Sequence, residues 1–285
     1  MYSGSTLTKY SGRVIGAHQK FDRVARKQLG RLLKKQTDFP PAKQILLFEG
    51  KNGPDAIKRK SPAQHEPWHY YSPFDEEDSQ LIELIEDHYE QLVSQIKKGN
   101  QERIAFEAAW LAHALVDGLT PAHHYPYEEK LSEIRGEEKE TRTTVREKII
   151  PKGVTKRDTF KKSWKVYGPK GLMTTHGLFE MGIAAIIAPL GFGEAHPTRA
   201  DIERMLEIGP TEWFKQSSRE IAVLDMYEKY YDKGWTTRLA NQVRHKLAPT
   251  IIKTVSLTWY SALHDAGIKV LDEPVKAKAK KRGRS

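Results

Sequence analysis

The chain has 285 residues, 38% hydrophobic and 29% charged, which fits a globular protein with a well-solvated surface and room for one large domain or two small ones. The absence of cysteine excludes disulfides and thiolate ligands, so any metal must rest on histidine and carboxylate. The net charge of +10 is concentrated at one end, because the last eleven residues, Val275 to Ser285, hold six basic groups and no acid.

The first ten residues, Met1 to Tyr10, lack the apolar core of a secretory signal. The expectation is a cytoplasmic protein, with a removed signal or secretion left open. Residues 12–36 carry helical periodicity, with Val14, Phe21, Val24, Ala25, Leu29 and Leu32 on one side and basic residues opposite. Over residues 38–76 the breakers Pro40, Pro41, Gly50, Gly53, Pro54, Pro62, Pro67 and Pro73 predict a long loop. A loop of that length within a compact domain is usually functional or disordered.

A helix is predicted from about Glu76 to Lys98, stopped at Gly99. An alanine-rich helix follows from about Gln101 to Asp117 and ends at Gly118. Residues 127–165 are highly charged with mixed sign and read as an exposed, partly helical insertion. Further helices are expected near 172–188, 198–231 and 235–268. The longest apolar run, Met181 to Leu190, is too short to span a bilayer and contains Pro189, so it reads as a buried helix. No alternating strand pattern appears, and the expected fold is all-α. It comprises one multi-helix domain over 1–270 and a basic tail over 271–285. A tail of this kind is ordinarily solvated and disordered, and it can touch anionic lipid or nucleic acid.

The chemistry centres on His113-Ala-Leu-Val-Asp117-Gly-Leu-Thr-Pro121-Ala-His123. His113 and Asp117 lie four apart on a predicted helix, so both emerge from one face, and the turn at Pro121 brings back His123. His176 and Glu180 form a second pair at the same spacing. Asp55 and His69 sit in the long loop, and His18 lies on the first helix. Taken singly, each has an ordinary alternative: a surface ion pair, a helix cap, a turn aspartate, or a packed histidine bonded to a carbonyl.

In this order, His18, Asp55, Trp68-His69-Tyr70, His113-x3-Asp117-x3-Pro121-x-His123 and His176-x3-Glu180 resemble the zinc-dependent phospholipase C and S1/P1 nuclease superfamily. The resemblance implies an all-α domain that hydrolyses phosphoesters at a centre of two to three zinc ions. It implies that Asp55, His69, His113 and Asp117 hold one zinc, and that His123, His176 and Glu180 hold a second. His18 and Asp117 would hold a third, with Asp117 bridging. It also implies that Asp55 orients or deprotonates the attacking water.

Two features depart from the family pattern. In secreted members a mature N-terminal amine, usually on tryptophan, completes the third site, and here no tryptophan precedes His18. Fifty-two residues separate His123 from His176, more than the family's short connection. His124 is an alternative to His123, although the spacing to Pro121 favours His123.

Trp68, Tyr70, Tyr71, Phe74, Tyr125 and Tyr127 flank these positions and would suit a lipid or a stacked base, or simply pack the loop. The implied substrate is a phospholipid phosphodiester. The alternatives are single-stranded nucleic acid and a zinc-stabilised binding protein without turnover.

Overall fold

The computed structural model describes residues 1, 16–33, 38–50 and 52–268. The basic tail and the outer ends of the expected first helix, including Val14, lie outside the described residues. Within them the protein is all-α and contains no strand. In chain order the helices are α1 Ala17–Leu32, α2 Ala42–Ile45, α3 Pro54–Lys60, α4 Gln80–Lys98, α5 Gln101–Gly118, α6 Tyr127–Arg135 and α7 Val145–Ile149. They continue as α8 Lys156–Tyr167, α9 Leu172–Ile187, α10 Arg199–Ala222, α11 Met226–Lys233, α12 Thr237–Gln242 and α13 Ala248–Asp265.

The centre of the domain is built from α5 and α13, whose buried residues extend around most of each helix. Alanines at 105, 108, 109, 112 and 114 let neighbours approach α5 closely, and Trp259 of α13 donates its indole N–H to the Ala108 carbonyl at 3.1 Å. The side chain of Asn100 caps α5 by accepting from the Arg103 amide at 3.2 Å, and the short turn there returns α5 along α4. On α1, Phe21, Ala25, Leu29 and Leu32 bury a stripe at three- and four-residue spacing against α13, α5 and α9. Gly118 ends α5 where a Cβ would stand 2.4 Å from Phe214 and 2.6 Å from Leu81, so close packing of α4 and α10 requires a residue without a side chain.

Several expected elements are modified. The breaker-rich segment 38–76 is not wholly loop. Pro54 occupies the first turn of α3, where its missing N–H costs no hydrogen bond, and so it starts a helix. The single helix expected over 198–231 is bent at Gly209 (φ 78°) before Pro210 and interrupted between α10 and α11. A π-helical turn over Val243–Leu247 joins α12 to α13.

The charged stretch 127–165 forms α6 to α8 and is less exposed than expected. Arg135 and Arg142 are each 1% exposed. Arg135 donates to the carbonyls of Glu147, Lys148 and Ile150, and Lys162 donates to those of Arg135 and Lys152. Lys148 reaches the Lys58 and Ser61 carbonyls and fastens this layer to α3. Basic side chains here act as connectors between backbone carbonyls, which explains how so polar a segment is ordered.

Candidate metal centre

Five parts of the fold converge at one end of α5. His18 comes from α1, Asp55 from the first turn of α3, and His69 from the extended segment before α4. His113 and Asp117 share one face of α5, and His123 ends the 3-10 turn Pro121–His123. His176 and Glu180 face the same space from α9. The turn is fixed by Thr120, whose hydroxyl donates to the Val116 carbonyl at 2.6 Å, and by the Tyr71 amide donating to the His123 carbonyl at 3.1 Å.

The eight side chains named from the sequence fall into three groups whose candidate ligand atoms lie within 4.8 Å of one another: His18, His113 and Asp117; Asp55, His69 and His113; His123, His176 and Glu180. Asp117 is central. Its Oδ2 lies 2.5 Å from His69 Nδ1 and 3.1 Å from His113 Nε2, while Oδ1 lies 3.2 Å from His18 Nε2 and 3.7 Å from His123 Nε2. The two oxygens thus face different groups. Glu180 Oε1 stands 2.8 Å from His123 Nε2 and 2.9 Å from His176 Nε2. His124 points elsewhere, with Nε2 2.9 Å from the Gly118 carbonyl, so of the two neighbours His123 is the one in the cluster.

Three features were not read from the sequence. The Met1 α-amine contacts Asp117 and lies 3.2 Å from His123 Nε2 and 3.4 Å from Glu180 Oε1. Any terminal residue carries that group, so residue type gave no signal. Glu49 is fully buried, with its oxygens 3.1 and 3.2 Å from His113 Nδ1 and Oε1 3.8 Å from His18 Nδ1. Tyr227 places its ring 6.3 Å from that of His176 and 5.5 Å from Tyr125.

The donor set suits a metal. His18 has neither ring nitrogen hydrogen-bonded, and His69 Nε2, His113 Nε2 and His176 Nδ1 are buried without a hydrogen bond. Buried polar atoms in that state are costly unless something satisfies them, and a cation among imidazoles and carboxylates does so. His123 Nδ1 donates to the His69 carbonyl at 2.7 Å, which leaves Nε2 as a lone pair for the centre. Burial and the nearby Lys58 charge push His69 down to about 3, so its imidazole is neutral, as ligation requires. Burial works against the charge on Asp117, but the Met1 ammonium and His123 outweigh it and hold the carboxyl well below its usual range. Asp55 is likewise held down, mainly by His113, and its side chain keeps 25% exposure.

The metal-free chain should show an alkaline weakness. Burial lowers the Met1 ammonium, but Asp117 and Glu180 more than compensate and raise it from 8.0 to about 10. A group whose folded pKa is raised stabilises fully below its unfolded value and loses that contribution as pH climbs through the folded one. The contribution is on the order of 2–3 kcal/mol, present below pH 8 and lost toward pH 10. Thermal unfolding in chelator should therefore fall over that window more steeply than for a chain acetylated at the α-amine. Parallel curves would show that the amine is not in the site.

Of the flanking aromatics, Tyr70 and Tyr127 stack at 5.4 Å, and their rings lie 6.5 and 5.2 Å from His176. Tyr71 is buried against Phe214, and Phe74 is 66% exposed, so these two pack or project rather than line the centre. A cleft of about 390 Å³ is walled by Tyr125, Trp164, Leu172, Thr175, Tyr227 and Tyr231; none of the eight candidate ligands lines it, and Thr175 and Tyr227 are its walls nearest His176.

No protein-family model matches the chain, and no curated protein matches it. Among solved structures it is similar to the alpha-toxin of Clostridium perfringens from an avian strain, at 14% sequence identity and a TM-score of 0.45. That match covers 87% of this chain and 63% of the alpha-toxin chain, so the chain spans less than two thirds of its length.

Proposed function

We propose that this protein is a zinc-dependent phosphoester hydrolase acting on a phospholipid phosphodiester in the manner of a phospholipase C. The observation that carries the proposal is the convergence of eight buried or part-buried His, Asp and Glu side chains into three groups around Asp117, with ring nitrogens left unsatisfied. Asp55, His69, His113 and Asp117 would hold one ion, and His123, His176 and Glu180 a second. His18, Asp117 and the Met1 amine in its neutral form would hold a third. Zinc bound in such a set lowers the pKa of a water ligand from about 15.7 toward 7 and neutralises phosphate oxygens.

The chain's own residues do the rest. Glu49 and the His69 carbonyl take the outward nitrogens of His113 and His123 and so aim the inward ones. Asp55, held in its charged form and facing partly outward, would orient the attacking water and receive its proton. His176 follows Thr175, which lines the cleft, and its ring lies 6.3 Å from that of Tyr227 in the cleft wall, so substrate would reach the centre past these residues.

The lipid reading is favoured by the apolar walls of the cleft, where Ile134 and Leu172 stand with the rings of Tyr125, Trp164 and Tyr227. The test compares p-nitrophenyl phosphorylcholine with single-stranded DNA, each with and without chelator, alongside elemental analysis of zinc. Expected are turnover of the phosphocholine ester that chelator removes and zinc restores, and three zinc ions per chain. Cleavage of DNA alone would make the protein a nuclease, and bound zinc without turnover of either would make it a binding protein.

A further inference from the structure

The connection between His123 and His176 carries an exposed apolar surface that the chemistry above does not use. On α8, Phe160, Trp164 and Tyr167 fall on one stripe at four- and three-residue spacing and are 65%, 59% and 42% exposed. The Phe160 and Trp164 rings stack at 6.1 Å. The opposite side of α8 faces inward through buried Val166 and through Lys162, which donates to two carbonyls. Tyr167 donates its hydroxyl to the Ile149 carbonyl at 2.6 Å, which brings the exposed Ile149 and Ile150 beside the same stripe. Val154, just before α8, is 97% exposed.

The charge around this stripe has one sign. Residues 149–173 contain seven lysines and arginines and one acid, Asp158. Among the described residues, Lys156, Arg157, Lys161, Lys165 and Lys170 make no ion pair, so their charge is available to an outside partner. No described helix is long and apolar enough to cross a membrane.

We infer that the face formed by Val154, Phe160, Trp164, Tyr167 and the surrounding lysines docks the protein on an anionic lipid surface. Aromatic rings at the level of the headgroups, aliphatic side chains below them and lysines reaching back to phosphate form a complementary layer. Exposed rings and lysines would also suit single-stranded nucleic acid, but Ile149, Ile150 and Val154 have nothing to bury against there. Trp164 and Lys165 also wall the cleft whose far side is lined by Thr175 and Tyr227, so the docking face and the cleft are continuous. The inference deepens the phospholipase reading but does not depend on turnover.

The test is co-sedimentation of the full-length protein with vesicles of phosphatidylcholine alone and with about one third phosphatidylserine, with zinc and with chelator. Binding to the anionic vesicles is expected in both conditions, weakened by salt, and reduced about tenfold or more by V154S/F160S and by K161E. Both variants alter exposed side chains and should retain turnover of soluble p-nitrophenyl phosphorylcholine. Absence of binding to anionic vesicles, or undiminished binding by V154S/F160S, overturns the inference, as does capture of single-stranded RNA without capture of vesicles. Vesicle binding without any turnover keeps this inference and removes the hydrolase. Turnover without vesicle binding does the reverse.

Discussion

Asp117→Asn should lose metal and hydrolytic turnover together, with activity down by about a thousandfold or more and helix content preserved. The substitution is nearly isosteric, so the packing of α5 is unchanged. What it alters is the pair of oxygens that face two groups at once, Oδ2 toward His69 and His113 and Oδ1 toward His18 and the Met1 amine. An amide has one weaker acceptor and one donor, and its NH2 must point at either the imidazoles or the ammonium. A buried cation left without its partner typically costs about 3–5 kcal/mol, so the metal-free variant should also unfold at lower temperature. The measurements are zinc content, turnover with zinc in excess, and circular dichroism. Zinc should not restore this variant, because both of the ions proposed to share Asp117 would lose a ligand. A variant with its full metal complement and normal turnover would remove Asp117 from the centre.

Much of this arrangement was legible because the relevant signals are local. The three- and four-residue periodicity of α1 and α4, the Asn100 start of α5 and the four-residue spacing of His113 with Asp117 and His176 with Glu180 all act within a turn or two of helix. The grouping of His69 with His113, or His123 with Glu180, depended on the resemblance, since no local rule brings residues from separate elements together.

The misses share a cause. Pro54 begins a helix because a first-turn proline loses no hydrogen bond, whereas composition alone counts it as a breaker. Arg135 and Arg142 are buried because carbonyls from α7 and acids on α6 meet them, which a count of charges along 127–165 cannot reveal. The Met1 amine has no side-chain signature, and Tyr227 is brought to His176 only by the packing of α11.

Glu49 lies in the same category, and its removal provides the second large effect. It follows Leu46-Leu47-Phe48 in the breaker-rich segment, where an acid would be expected to face water, yet it is fully buried. Its contacts with His113 Nδ1 fix that nitrogen as the protonated one and leave Nε2 for a metal, and the same carboxylate is the nearest acid to His18 Nδ1. Those two rings stack at 4.0 Å with planes 2° apart, so the orientation that Glu49 gives His113 also fixes the ring packed on it. Burial first, and then Glu49, push the neighbouring Asp22 carboxyl well up. Glu49→Gln keeps one neutral acceptor for His113 Nδ1 in place of a carboxylate and should weaken zinc binding about tenfold. Glu49→Leu keeps none and should approach a hundredfold, the range seen for partners of metal-bound histidines. Competition with a chromophoric chelator measures both. Unlike Asp117→Asn, each variant should recover most of its turnover when zinc is supplied in excess, because every metal ligand is still present. Zinc affinity unchanged in Glu49→Leu would reduce Glu49 to a packed carboxylate, and turnover that excess zinc fails to restore would place it among the reacting groups instead.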